Sequence, residues 1–354
     1  MTKWIYICSL FLFLCGCQQK EDKISRSDFE TLMGCGLPAW RYVQTAEDFE
    51  NLQFFKVAYE KNIPFLGIKS AMLRVPKVIH FIWIGPKPFP RESIENVRTW
   101  IAKHPGWTIK FWTDRDRPLP HKDMELVRIQ DFHFSQLFEC YNKSDNYAEK
   151  SDLLRYEILY QEGGIYVDHD VKCLQSFEPL SRAFDFYCGM EMPYQTSLSS
   201  SVLPTNNLVG SRAGHPILKR CMKWLSQEWD RIDREYPGKD KDAVINRVAH
   251  RTFLVFGESF KLLANKDSRR DIALPTFYFN APEDKLAIFS RHFYKGTWFE
   301  NESDFEKNVR ERLMKISKKT NKILLAFGAF SFINIIGLTL LFLKYQKIHR
   351  AVRE

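Results

Sequence analysis

The 354-residue sequence predicts an α/β fold, a mostly parallel sheet with helices on its faces, and three observations carry that prediction. Near-continuous apolar runs such as Val78 to Ile84 suit strands buried on both faces. Such runs alternate with amphipathic helical patterns, and strand, helix, strand in close succession is a βαβ unit with a right-handed crossover. Hydrophobic residues make up 45% of the chain and aromatic residues 15%, enough for one large core or two modest ones.

Composition narrows the function classes. Lys and Arg number 52 against 43 Asp and Glu, a net charge of +9, but the basic residues gather beside a C-terminal apolar run, not among exposed aromatics. No nucleic-acid partner is expected. Of eight cysteines, three lie in the N-terminal apolar segment, and the other five show no close pairing or Cys-x-x-Cys spacing. This pattern implies reduced, mostly buried thiols. The chain lacks His-Glu-x-x-His, Gly-x-Gly-x-x-Gly and a Walker lysine loop, which disfavours a zinc enzyme, a dinucleotide fold and an ATPase.

In chain order, residues 1–17 hold an apolar run, Trp4 to Cys17, with the length of a signal-peptide core. Leu14-Cys15-Gly16-Cys17 looks like a bacterial lipoprotein box with Cys17 as lipid acceptor, and three readings stay open: lipoprotein signal, short uncleaved anchor or buried helix. Residues 18–75 read as a helical prelude, a packing and support segment. A catalytic-type domain spans 76–300. Its first strand, Val78 to Ile84, is followed by a helix over Arg91 to Lys103, a strand over Thr108 to Trp112 and a helix near Lys122 to Gln130.

The stretch Ser151 to Leu174 organises the chain. A helix from Asp145 to Gln161, with Ser151 able to cap it, stops at Gly163-Gly164, and a strand begins at Ile165. That strand breaks off at Asp168-His169-Asp170. On extended backbone the two carboxylates point the same way, roughly 7 Å apart. Asp152 and Arg155, three apart on the helix, share a face near the same strand end. Beyond Leu174 come strand-like stretches at Phe184 to Met190 and Asn207 to Gly210, a helix over His215 to Trp229, and an exposed charged stretch from Asp230 to Lys241. Ala243 to Leu263 is mixed helical and apolar, and Leu274 to Trp298 reads as a late loop able to fold over the site. A basic linker, 301–322, leads to Ile323 to Leu343, which is uncharged and reads as a single-pass transmembrane helix before the basic tail 344–354. Six Lys or Arg flank it on the domain side against four in the tail, which favours a cytoplasm-facing domain.

Two acids with no soft ligands nearby, at the carboxyl edge of a parallel sheet, suit Mg²⁺ or Mn²⁺ completed by a diphosphate. Ile79-His80-Phe81-Ile82-Trp83-Ile84-Gly85, Ser151-Asp152-Leu153-Leu154-Arg155-Tyr156 and Gly163-Gly164-Ile165-Tyr166-Val167-Asp168-His169-Asp170, in that order, resemble glycosyltransferase family 32. This is the DXD sugar-binding group of yeast initiating and inositol-phosphoceramide mannosyltransferases, more distantly similar to clostridial glucosylating toxins. The resemblance implies a GT-A-like, Rossmann-like fold, retention of anomeric configuration, a divalent metal and a nucleotide-sugar donor, a UDP-hexose or GDP-mannose. It implies that Trp83 stacks on the base, and that Asp152 and Arg155 bind the donor sugar and the diphosphate side. Asp168 would touch the ribose and the metal's water, and Asp170 would coordinate the metal. His292 and Thr297-Trp298 resemble the family's late His and Ser-Trp element on a closing loop, whereas His169 matches a variable position. Phe256-Gly257-Glu258 departs from the family's Thr-Gly-Pro and leaves the acceptor open among glycan, glycolipid and protein.

Rival readings are a metal-dependent hydrolase, a membrane-tethered nucleotide-sugar-binding protein without turnover, and a toxin-like protein glucosyltransferase. Two acids on one edge do not flank a glycosidic bond from opposite sides, which disfavours the hydrolase.

Overall fold

The computed structural model describes residues 28–295, apart from positions 69, 195, 197 and 239, together with Leu343. The chain divides into two compact units, Met1–Trp298 and Phe299–Glu354. Among the described residues no helix is long and apolar enough to cross a membrane, while residues 1–17 and the run to Leu343, that last residue excepted, fall outside them.

The prelude forms α1 (Phe29–Leu32) and α2 (Ala46–Asn62). A capping box starts α2: Thr45 accepts from the Asp48 N–H, and the Asp48 carboxylate accepts from the Thr45 N–H. Asp48 also takes bonds from the Ser200 hydroxyl and the Ser201 N–H, while Phe55 packs on Phe260 and Tyr59 meets Tyr278. The prelude is thus pinned to residues far along the chain.

The βαβ unit is β1 (Val78–Ile82), α3 (Arg91–Lys103) and β2 (Thr108–Thr113), with β1 and β2 parallel. The helix expected near Lys122 to Gln130 is instead the edge strand β3 (Glu125–Arg128), parallel to β2, and a 3₁₀ turn over Ile129–Asp131. Pairing with Lys110 to Thr113 supplies backbone partners that local propensity did not foretell.

After α4 (Phe138–Lys143) comes α5 (Tyr147–Glu162). Its N-cap is Asn146, whose side chain accepts from the Ala148 and Glu149 N–H groups, and not Ser151, which lies a turn inside and donates to the Tyr147 carbonyl. Gly163 and Gly164 both take positive φ, +69° and +99°, to turn into β4 (Gly164–Val167). A Cβ on Gly164 would lie 2.6 Å from the Val78 carbonyl oxygen, so the close approach of β4 to β1 needs glycine.

The chain continues through β5 (Val171–Cys173), α6 (Glu178–Ala183), β6 (Phe186–Met190) and β7 (Pro204–Ser211). Next, α7 (Pro216–Glu235) runs six residues past Trp229, into the charged stretch read as exposed. Buried Ile232 and pairs from Arg231 to Glu228 and Glu235 sustain those extra turns. α8 (Lys241–Val248), a π-helical segment (Ala249–Leu254) and α9 (Val255–Leu263) lead to β8 (Asp271–Leu274) and β9 (Ser290–His292).

The main sheet has the order β3-β2-β1-β4-β7-β6-β8, parallel except for β7, which is antiparallel to both neighbours. The α/β class is as expected, with a mixed, mostly parallel sheet. Strand order reverses between β1 and β4, which opens a crevice beyond their carboxyl ends. There β5 and β9 form a small antiparallel sheet in which Val171 faces His292. The described cysteines are free, with Cys140, Cys173, Cys188 and Cys221 buried and Cys35 exposed.

Candidate active site

The helix α5 sends Arg155 into this crevice. Its guanidinium donates to the Asn206 carbonyl at 2.6 Å and the Tyr166 hydroxyl at 3.0 Å. It pairs with Asp152 at 2.7 Å and Asp168 at 3.2 Å, and lies 4.0 Å over the Tyr166 ring. One planar fork thus bridges two acids from different elements. Asp152 is fully buried, and burial together with the nearby Asp168 charge pushes its carboxyl up to about 8 against the pull of Arg155. Its Oδ2, the Arg155 Nε and the Asn207 Oδ1 are buried without protein hydrogen-bond partners.

β4 ends at Val167, but the Asp168 N–H still donates to the Asn207 carbonyl of β7, and Asp168 opens a turn, its carbonyl accepting from the Val171 N–H, that carries Asp170 toward β5. The two acids converge nonetheless, because the turn folds both toward β9. Asp168 accepts from the Tyr166 hydroxyl at 2.5 Å. Asp170 faces His292 Nε2 at 3.2 Å and accepts from the Lys295 N–H at 2.8 Å. Burial acts to raise the Asp170 carboxyl, but the His292 bond and positive charge hold it well below the usual range. His292, which burial would lower, is raised by the same contact.

Candidate ligand atoms of Asp168, Asp170 and His292 all lie within 4.8 Å of one another. Two carboxylates and an imidazole form a hard, oxygen-rich donor set that fits Mn²⁺ or Mg²⁺. His292 was expected from the resemblance alone, and the β5–β9 pairing delivers it across more than a hundred residues. Thr297 and Trp298 lie outside the described residues.

Trp83 follows β1 at the crevice wall, its indole N–H donating to the Lys87 carbonyl and its ring edge-on to Phe89 and His169. His169, given no role from the sequence, holds the acidic turn against α3: its Nδ1 meets the Ser93 hydroxyl at 2.7 Å, and its carbonyl accepts from Asn96. Sequence reasoning also missed Asn206 and Asn207. Asn206 donates to Asp152 and Tyr156 shares it, whereas the Asn207 amide reaches both Asn280 and His292 Nδ1. The signal was present as two adjacent amides inside an otherwise buried strand, where each polar group needs a partner.

Residues 90–187 match the pattern described as a glycosyltransferase sugar-binding region containing a DXD motif. Among curated proteins, the chain is 26% identical over 185 residues to "Subversion of eukaryotic traffic protein A" of Legionella pneumophila, covering 48% of this chain and 27% of that one. It is 28% identical over 151 residues to inositol phosphoceramide mannosyltransferase 3 of Schizosaccharomyces pombe, covering 43% and 37%. The matches therefore span well under two thirds of the length of these relatives. Among solved structures, the "PaToxG Glycosyltransferase" is similar with a TM-score of 0.43 and 21% identity, over 62% of this chain and 83% of that one. Residues 90–187, with Asp152, Arg155, Asp168 and Asp170 among them, are thus similar to glycosyltransferase sugar-binding regions containing a DXD motif.

Proposed function

We propose that this chain transfers a hexose from a nucleotide sugar to an acceptor hydroxyl, with a GT-A arrangement, retention of anomeric configuration, and Mn²⁺ or Mg²⁺ held by Asp168, Asp170 and His292. The observation that carries the reading is the convergence of that triad with the chain of buried Asp152, buried Arg155 and half-buried Asp168 at one crevice. A divalent cation bound there would supply charge neutralisation for the departing diphosphate. The rest is positioning by the protein. Arg155, fixed by Asn206 and Tyr166, offsets the repulsion between Asp152 and Asp168 by pairing with both and offers a fixed positive fork to the diphosphate side. The unpartnered Asp152 Oδ2 is suited to accept a donor-sugar hydroxyl, and the Asn207 Oδ1 to accept a second.

The test is nucleotide release by the full chain from UDP-glucose, UDP-galactose, UDP-N-acetylglucosamine and GDP-mannose, with and without Mn²⁺, beside Asp170→Ala. Metal-dependent release from one donor, lost by at least a hundredfold in the variant, is expected. Equal turnover by the variant would overturn the assignment, and donor binding without release would favour the non-catalytic binding protein.

Membrane attachment through Ile323 to Leu343 is part of the proposal, supported by 21 uncharged residues flanked by lysines, with the domain facing the compartment that holds its donor. Release of the full chain from membranes by alkaline wash would argue against it.

A further inference from the structure

Strand β7 carries a slip in register that the proposed chemistry does not explain. On its β6 side Cys188 pairs with Val209 but the next residue, Gly189, pairs with Thr205, so Asn206, Asn207 and Leu208 have no strand partner there. On its β4 side the ladder runs on, with Val167 facing Leu208 and the Asp168 N–H donating to the Asn207 carbonyl. Irregularities of this kind re-aim groups beside a site. Here the Asn206 carbonyl is released to Arg155, and the Asn207 side chain is aimed at β9.

The Asn207 Nδ2 lies 2.8 Å from the Asn280 Oδ1 and 2.7 Å from the His292 Nδ1, and both amides are buried. Asn280 is held in turn. Its Nδ2 donates to the Met190 carbonyl at 3.0 Å, its N–H donates to the Thr276 carbonyl at 2.7 Å, and its backbone bridges Arg291, the residue before His292. Gly189 makes room for it, since a Cβ there would lie 2.9 Å from the Phe279 ring and 3.1 Å from the Asn280 Nδ2. A relay thus runs from the Met190 carbonyl through two amides to His292 Nδ1, while His292 Nε2 faces the Asp170 Oδ1 at 3.2 Å. An imidazole that turns one nitrogen to a cation site needs its other nitrogen held, because the ring otherwise rotates about its side-chain bonds. Asn207 presents its Nδ2 to that nitrogen and keeps an unpartnered acceptor, Oδ1, on the same amide, so it can serve the ring with or without a proton on Nδ1.

We propose that Asn207 and Asn280 are positioning residues for the cation site, holding the His292 ring in the orientation that turns Nε2 to Asp170. This rests on the metal-dependent glycosyltransferase reading and adds to it the residues that orient one member of the triad.

The experiment titrates Mn²⁺ alone into the full chain, without donor, and follows the free ion by its electron paramagnetic resonance signal. Asn207→Leu and Asn280→Leu should each weaken Mn²⁺ binding by about 10- to 100-fold, and the double variant should stay within about threefold of the weaker single one, because the two amides act in series. The comparison that separates positioning from general damage is made in the His292→Ala chain, where either change should shift Mn²⁺ affinity by less than about threefold. A loss of about tenfold or more that persists without the imidazole, or wild-type affinity in both single variants, would overturn the positioning role. Should Asn207→Leu not fold, Asn280→Ser against His292→Ala reads the same coupling from the far end of the relay. Wild-type Mn²⁺ binding no tighter than that of Asp170→Ala would instead sink the metal reading and this inference with it, a result distinct from either.

Discussion

Arg155 shows how one side chain can hold a site together. Its NH1 serves the Asn206 carbonyl while its NH2 is shared among Asp152, Tyr166 and Asp168, so its planarity matters as much as its charge. Arg155→Lys keeps the charge and loses the fork, and nucleotide release should fall by about 10- to 100-fold, measured beside an unchanged circular dichroism spectrum. Wild-type turnover in that variant would mean that charge alone suffices. At this scale the acids and the arginine were legible in the sequence, because helical spacing and Asp-x-Asp are local patterns. Asn206 and Asn207 left only the weaker signal of two adjacent amides in a buried strand, since an amide's partners are set by which elements pack around it.

At the scale of elements, the crevice depends on how β1 meets the glycine turn that ends α5. His80, on β1, is fully buried, its Nε2 hydrogen-bonded to the Gly163 carbonyl and its Nδ1 accepting from the Trp112 indole. Both bonds are made together only by the neutral ring with its proton on Nε2. Burial lowers its pKa from 6.5 to about 4. Between those values the unfolded chain binds the proton and the native chain does not. This contribution is therefore complete above pH 6.5 and declines as pH falls toward 4, by about 3 kcal/mol in all. Urea unfolding at pH 7.5 and 4.5 should show a larger loss for the wild-type chain than for His80→Gln, and equal losses would remove His80 as the cause. Helix α3 and strands β1 and β2 were readable from periodicity, but β3 was not, because an edge strand of four residues carries little pattern of its own. The β5–β9 pair was equally hidden, since three-residue strands joined across the chain leave no local signal.

For the molecule as a whole, the prelude is fastened to the sheet domain. Asp48 is buried at the start of α2 and accepts from the Gln44, Thr45 and Ser201 N–H groups as well as the Ser200 and Ser201 hydroxyls. Burial would raise its carboxyl, yet those bonds hold it well below the ordinary carboxylate range. Its stabilising effect is present above pH 3.8 and is lost as pH falls below that value. Asp48→Ala removes the capping box and leaves buried donors unmet, which should cost about 3 kcal/mol. A thermal midpoint within one degree of wild type, against an expected drop of about 6 to 12 °C, would show the prelude to be an appendage. By itself the sequence determined the α/β class, the βαβ start and the acids with their arginine, because each rests on spacing along a helix or strand or on composition. Only the tertiary structure decided that the acids sit in a turn, that His292 joins them and that Asn206 and Asn207 complete the network. Those contacts join residues tens to more than a hundred positions apart, and their geometry comes from strand pairing and packing, which no local pattern encodes.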